Sequence, residues 1–249
     1  LFEDEGQYGA AVNAKEEALK AFQELKDSGF WMGEILSGTG HSQAMLGRSD
    51  AAQTQLEEAS KLAEKLQNKA LTAQILNFQG DRLFYLGDAK AARPLYEQAL
   101  QTASKTGDKR LELLSKVNLA KCAIAERRPQ PAIEGLKKLA DESDSLGLKY
   151  LSVESTVLLG QALLETKRYP QARQELERAL AKSEKLGLRA LLARSHYLFA
   201  SALRSTGSPA EASRHLGEAR RILEDIRKEA KTDDVVKRAD LAPILAQAG

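Results

Sequence analysis

Leu71-Thr72-Ala73-Gln74 opens a unit that runs through to Gly107-Asp108-Lys109, and this unit recurs every 40 residues. Aligning the copies produces columns. Trp31, Leu71, Leu111, Leu151 and Leu191 form one, and Gly40, Gly80, Ala120, Gly160 and Ala200 another. A third reads Ala52, Ala92, Ala132, Ala172, Ala212, a fourth Leu56, Tyr96, Leu136, Leu176, Leu216, and a fifth Ala59, Ala99, Leu139, Ala179, Ala219. A fixed period of this size marks a stacked array, in which each repeat contacts its neighbours and none can bury its apolar face alone.

Within each copy the signals are those of two helices. Ala, Leu, Glu, Lys and Arg dominate a chain with only 6 prolines, which favours helix throughout. A first helix of about 16 residues meets a turn at Gly87-Asp88, Arg127-Arg128-Pro129, Lys167-Arg168-Tyr169-Pro170 or Gly207-Ser208-Pro209, where proline suits the opening turn of the next helix. A second helix runs to a Leu-Gly-Leu-Lys/Arg stop at 146–149 and 186–189, with glycine supplying the left-handed residue and the second leucine folding back as an apolar seal. The chain divides accordingly into a partial repeat over 1–29, full repeats at 30–69, 70–109, 110–149, 150–189 and 190–229, and a capping segment over 230–249. The partial repeat reads as one amphipathic helix over 6–29 that includes Leu25. The small residues Gly80, Ala120 and Gly160 are expected to face Ala92, Ala132 and Ala172 across each hairpin. Gly33, Gly38 and Gly40 crowd one first helix; either packing on both sides stabilises it, or another backbone comes close. Thr232-Asp233-Asp234 is a helix start, Val235, Val236, Leu241, Ile244 and Leu245 give an apolar side, and Pro243 bends or divides the segment.

The columns resemble the tetratricopeptide repeat, shown most clearly by Leu159-Gly160, Ala172, Leu176 and Ala179, and the resemblance covers residues 6–229. The departure is length, since common members of that family repeat at about 34 residues; forty is similar to the elongated repeats of signalling scaffolds, peptide-pheromone receptors and regulatory tails of bacterial multidomain proteins. The resemblance implies an all-α, right-handed solenoid of antiparallel helix pairs with a C-terminal capping helix. It also implies that the first helices line a concave surface that binds a protein or peptide. The positions carried over are Glu34 and His41, then Gln74, Asn77, Asp81 and Tyr85, then Asn118 and Lys121, then Glu154 and Gln161, then Arg194, Tyr197 and Arg204. Phe84 either joins that surface or packs between repeats. The family's carboxylate clamp is not expected, because Asn77 is followed by Asp81 and Lys121 is the one cation nearby. The tail, from Glu218-Ala219-Arg220-Arg221 to Arg238-Ala239-Asp240-Leu241, looks like the end of repeat regions fused behind bacterial Ser/Thr protein kinases. It therefore implies a sensory or regulatory tail of a signalling enzyme as the alternative role.

No catalytic set accompanies these repeats. His41, His196 and His215 stand apart from one another, and none has a His or Cys three or four positions away as a helical metal site requires. His196 falls in the column of Leu36 and Leu76 and reads as a packed ring. Cys122 reads as a small helix residue, although Lys121 beside it would activate an exposed thiol. The glycines match neither a phosphate loop nor a dinucleotide fingerprint, and no kinase motif is present. No enzyme activity, metal or cofactor is expected. With 37 basic against 35 acidic residues, affinity for nucleic acid is not indicated, and no apolar run approaches the ~20 residues of a membrane span. A lone cysteine favours a reducing, cytoplasmic compartment. The opening Leu1-Phe2-Glu3-Asp4, with neither initiator methionine nor signal peptide, points to a piece of a longer protein, one placed outside the cytoplasm if a span precedes it. Self-association through apolar ends of the array is a further expectation.

Overall fold

The computed structural model describes residues 6–24 and 29–246; Leu25, Leu1 to Asp4 and residues 247–249 lie outside the described residues. Among the described residues there are thirteen helices: α1 (Tyr8–Glu24), α2 (Phe30–Met45), α3 (Ser49–Lys65), α4 (Lys69–Tyr85), α5 (Ala89–Ala103), α6 (Lys109–Ala125), α7 (Gln130–Ser145), α8 (Lys149–Glu165), α9 (Tyr169–Lys185), α10 (Arg189–Ser205), α11 (Pro209–Ala230), α12 (Asp234–Lys237) and α13 (Ala242–Ala246). From α2 to α11 they form hairpins, each stacked on the next to make an all-α solenoid.

Two kinds of helix alternate, and their sequences say why. The second helices are apolar on one stripe: α3 buries Ala52, Leu56, Ala59 and Ala63 and leaves its charged face in water. The first helices lie between neighbours, α4 against α2 and α6, α8 against α6 and α10. Helix α8 buries every residue from Leu151 to Gly160, the pattern of a helix packed on all sides. Between successive helices from α2 to α11 sits one residue in the left-handed conformation, at 47, 67, 87, 107, 127, 147, 167, 187 and 207. The bond that closes such a turn runs from Leu148 N–H to the Ser143 carbonyl at 2.8 Å and from Leu188 N–H to Ser183 at 2.9 Å, the Schellman arrangement. Asn68, Asp88 and Asp108 then cap the following helices by accepting from the backbone N–H of Leu71, Ala91 and Leu111.

The small residues act differently from the sequence expectation. A Cβ placed on Gly40 would lie 2.7 Å from Leu56, on Gly80 2.5 Å from the Tyr96 ring, and on Gly160 2.5 Å from Leu176. The glycines therefore meet the large column first, and the expected alanine contact shows at Gly40, where the Ala52 carbonyl lies 3.1 Å from the same Cβ position. The cause is the backward lean of helical side chains, so that Leu56 covers the turn that carries Ala52. Side chains also fill the remaining gaps in α2: Leu71 lies over Gly33, and the Lys15 stem lies over Gly38 and gives its ammonium to the Gly38 carbonyl.

Trp31 departs from its column. Leu71, Leu111, Leu151 and Leu191 are buried, whereas Trp31 is 61% exposed and meets Phe30 edge-on; it stands at the first hairpin of the stack. The histidines also need correction. His196 and His215 touch, with Nδ1 to Nδ1 at 2.8 Å, because they occupy facing sides of the α10/α11 hairpin. Single-helix spacing cannot detect a pair made across a turn. Cys122 is fully buried, and its thiol is pushed up to about 11, chiefly by burial.

The two ends of the array meet. Tyr8 and Val12 of α1 share one apolar cluster with Leu223, Ile226 and Ala230 of α11, and Gly6 lies against Ile226. Beyond α11 the chain turns at Lys231, itself left-handed. It caps the array with two short helices rather than a single one. Thr232 accepts from Asp234 N–H to start the first, and Pro243 sits in the opening turn of the second.

Two measurements check this packing. Gly160→Ala forces a methyl into Leu176 and should destabilise by ~1–3 kcal/mol, while Gly135→Ala, on an exposed turn of α7 with open space around it, should stabilise by ~0.5–1 kcal/mol; urea titrations giving both the same sign would refute the facing of the helices. The second concerns pH. Burial, then His215, brings the His196 ring down to about 4, and burial also lowers His215. Both rings stay neutral in the fold, while the unfolded chain protonates them near 6.5. Their contribution is present above about pH 6.5 and is lost as pH falls towards 4, so the melting temperature of the wild type should drop more steeply over that window than that of the His196→Gln/His215→Gln variant.

Candidate functional site on the inner face

The first helices set their polar residues in register, one repeat apart, along one wall. Asp81 of α4 is the centre of this line. Its carboxylate accepts from the Tyr96 hydroxyl at 2.8 Å and from the Lys121 ammonium at 3.0 Å, and His41 Nε2 stands 3.5 Å from its second oxygen. Lys121 in turn lies 3.9 Å from Glu154 and 4.8 Å from the centre of the Phe84 ring. Four consecutive first helices, α2, α4, α6 and α8, are thus joined by His41, Asp81, Lys121 and Glu154. Burial works to raise the Asp81 carboxyl, but the Lys121 ammonium and the His41 ring override it and hold the group far below the ordinary carboxylate range. Burial likewise works against the charge on Lys121, and Asp81 followed by Glu154 raises its pKa nonetheless.

A second ladder is neutral. Asn77 donates to Ser115 at 2.9 Å and accepts from Asn118 at 3.1 Å, and all three are fully buried or nearly so. Gln74 donates to Glu34 at 2.9 Å and accepts from Arg110 at 3.2 Å. Glu34 and His41 are half-buried, Gln161 bonds Glu165 of its own helix, Tyr197 packs in the core on either side, and Arg204 is exposed. Phe84 is buried beside Tyr96. The structure thus joins Glu34, His41, Gln74, Asn77, Asp81, Asn118 and Lys121 in bonds between repeats, while Gln161 bonds within α8.

The unexpected occupant of this face is the C-terminal segment. Ala239 N–H donates to the Tyr85 carbonyl at 2.9 Å, and the Arg238 guanidinium lies 3.9 Å over the Tyr85 ring and donates to the Met45 carbonyl at 3.0 Å. Arg238 also holds Asp240 by two bonds of 3.0 and 2.8 Å. The carboxyl of Asp240, raised by burial, is brought down by Arg238 and then by Arg194 of α10. These residues escaped sequence reasoning because they lie outside the period. The signal available was an arginine and an aspartate two apart inside the run from Val235 to Ile244, whose other residues are apolar except Lys237.

Two cavities open on the inner face. One, of about 660 Å³, is lined by the C-terminal ends of α4, α6, α8 and α10 together with Ala239, Asp240 and Pro243. The other, of about 440 Å³, has walls of Met45, Phe78, Tyr85, Leu114 and Tyr150 over a floor of Asp81, Asn118, Lys121 and Glu154. Among the described residues no group of three or more His, Cys, Asp or Glu could hold a metal ion, and no helix is long and apolar enough to cross a membrane.

A family model of the tetratricopeptide repeat matches residues 152–225. No curated protein matches the chain. Solved structures do. BtubC (BKLC) from P. vanneervenii is 19% identical with a TM-score of 0.64, covering 88% of this chain and 92% of its own. A Rap protein complexed with Competence and Sporulation Factor is 12% identical with a TM-score of 0.70, covering 98% and 71%. The TPR-like repeats of a putative kinesin light chain from Podosopora anserina are 19% identical with a TM-score of 0.54, covering 78% and 96%. At these identities the likeness is one of fold.

The buried line makes a sharp demand on Lys121. Lys121→Met leaves Asp81 and Glu154 buried without their cation and should cost ~3–5 kcal/mol, whereas the double change Asp81→Asn/Lys121→Met should recover much of that loss. Denaturant titrations in which single and double variants lose equally would show that the two charges do not depend on each other.

Proposed function

We propose that this array of tetratricopeptide repeats is a non-catalytic interaction module that holds a peptide segment of a partner protein on its inner face. The observation that carries the reading is the 440 Å³ cavity, where apolar walls from Met45, Phe78, Leu114 and Tyr150 meet a floor of buried, oriented polar groups. A cavity of that size takes two or three side chains, and a few fixed polar groups in an apolar lining give orientation and specificity. The floor has capacity to spare. Glu154 stands 3.9 Å from Lys121, beyond hydrogen-bond length, so its carboxylate can accept an amide or ammonium from an occupant. The rim adds Arg110 and Lys149, which suit an occupant with a carboxylate at its outer end. Similarity of fold to a Rap protein solved in complex with Competence and Sporulation Factor supports the reading.

The test is selection of a random peptide library on the immobilised chain, followed by affinity measurements on the selected sequences. Glu154→Lys and Tyr150→Ala should each weaken them about tenfold or more, the equivalent of ~1.4 kcal/mol. Glu177→Lys, on the exposed face of α9, should leave them unchanged. Affinities that follow the outer-face change instead would reject the inner face as the site.

A further inference from the structure

The C-terminal segment is anchored by Val235, Leu241 and Ile244, all fully buried. Between those anchors stands an arginine that anchoring does not require. Arg238 is 4% exposed, seated on the Tyr85 ring at 3.9 Å and near the Tyr8 ring at 5.7 Å, with its fork on the Met45 carbonyl and on Asp240. Burying a guanidinium and a carboxylate costs several kcal/mol per ion, and well-packed apolar side chains of the same volume often serve stability as well or better. The arrangement is one of recognition: an aromatic face for the cation, a carbonyl for one arm of the fork, and Arg194 opposite the carboxylate.

The seat belongs to the repeats. Met45 and Tyr85 are equivalent positions of α2 and α4, 40 residues apart, and both also line the 440 Å³ cavity. Gly47 leaves room for the tail's backbone, since a Cβ there would collide with the Asp234 carbonyl. The tail reaches the seat through a left-handed lysine, Lys231, and touches Tyr85 through a backbone bond from Ala239, a contact any extended segment could make.

We propose that Tyr85, Tyr8 and the Met45 carbonyl form an arginine-recognition subsite of the inner face, that the partner presents to it an arginine followed two residues later by a carboxylate, and that residues 232–246 occupy it as an internal competitor. This rests on the reading that the inner face holds a partner segment. A tethered occupant acts at an effective concentration in the millimolar range, and a site open in only a fraction of molecules binds more weakly by that fraction. The partner therefore has to displace the tail.

The test uses the full chain and a fluorescent peptide of residues 232–246, with anisotropy as the readout. The wild-type chain, its seat filled, should bind the peptide weakly. A chain carrying Arg238→Ala loosens the attached tail and should bind the peptide at least ~10-fold tighter. A peptide with alanine in place of the arginine should lose that gain, and adding Tyr85→Ala to the chain should abolish it. Equal binding of the two peptides to the Arg238→Ala chain overturns the proposal, as does no binding by a chain with native helical circular dichroism. If that variant fails to fold, Arg238→Lys, which keeps the charge and loses the fork, takes its place with the same outcomes. Success here with no library peptide bound at the 440 Å³ cavity would leave the subsite standing and end the broader reading. Library peptides that lack arginine and bind wild type and Arg238→Ala alike would do the reverse.

Discussion

The contact between the Tyr96 ring and Gly80 ties the scaffold to its inner face. Because Gly80 has no side chain, α5 comes close enough to α4 for the ring to cross the hairpin, and its hydroxyl arrives 2.8 Å from Asp81 on the far side. A residue of the outer layer thereby supplies a hydrogen-bond donor to a buried charge of the inner one. At the equivalent place in the other glycine hairpins stand Leu56 and Leu176, which fill the space and carry no such donor. Only this hairpin has both the tyrosine and the aspartate, and it is the hairpin on which the charged line converges.

Repetition explains which parts of the molecule could be read in advance. Each hairpin is encoded within 40 residues, so columns report helix pairing, turn position and the small-to-large contact without any knowledge of the whole. The left-handed residues, one every 20 positions, occur even where the residue is Gln67, Arg127 or Lys167; here the turn is set by the helices it joins, and glycine only makes it less costly. The inner-face positions were legible as positions. That Asn77, Asn118, Asp81 and Lys121 bond chiefly to one another was not, because a column shows which residues share a wall and not how long side chains settle between repeats. The His196–His215 pair was missed because the two rings belong to different columns, and the Arg238 seat because it joins residues 193 positions apart with no period to connect them.

The buried polar ladders invite the question of what they do that apolar columns would not. Identical apolar columns would let one hairpin stack on any other, since every interface would offer the same surface. The ladders make each interface different. Asn77 fits a partner with serine and asparagine at 115 and 118, and Asp81 fits one with a lysine at 121. A hairpin shifted by one repeat would put Leu158 and Gln161 in the places of Asn118 and Lys121 and leave polar groups buried without partners, each costing about 1–3 kcal/mol. Registry is the best-attested use of buried polar groups, and in a chain built from near-copies it is the property most at risk.

Registry also fixes curvature, and curvature fixes the site. Each interface rotates its hairpin relative to the last, and a slip at one of them would carry α1 away from α11. Here the sum of the rotations brings Tyr8 onto Ile226 and Ala230, so the array closes on itself within a single chain. Closure places Tyr8 beside the segment that follows α11, where its ring stands 5.7 Å from Arg238. The seat of Arg238 is thus made by α1, α2 and α4, and it is filled from the opposite end of the chain. No one repeat contains it, and it needs both ends of the array brought together.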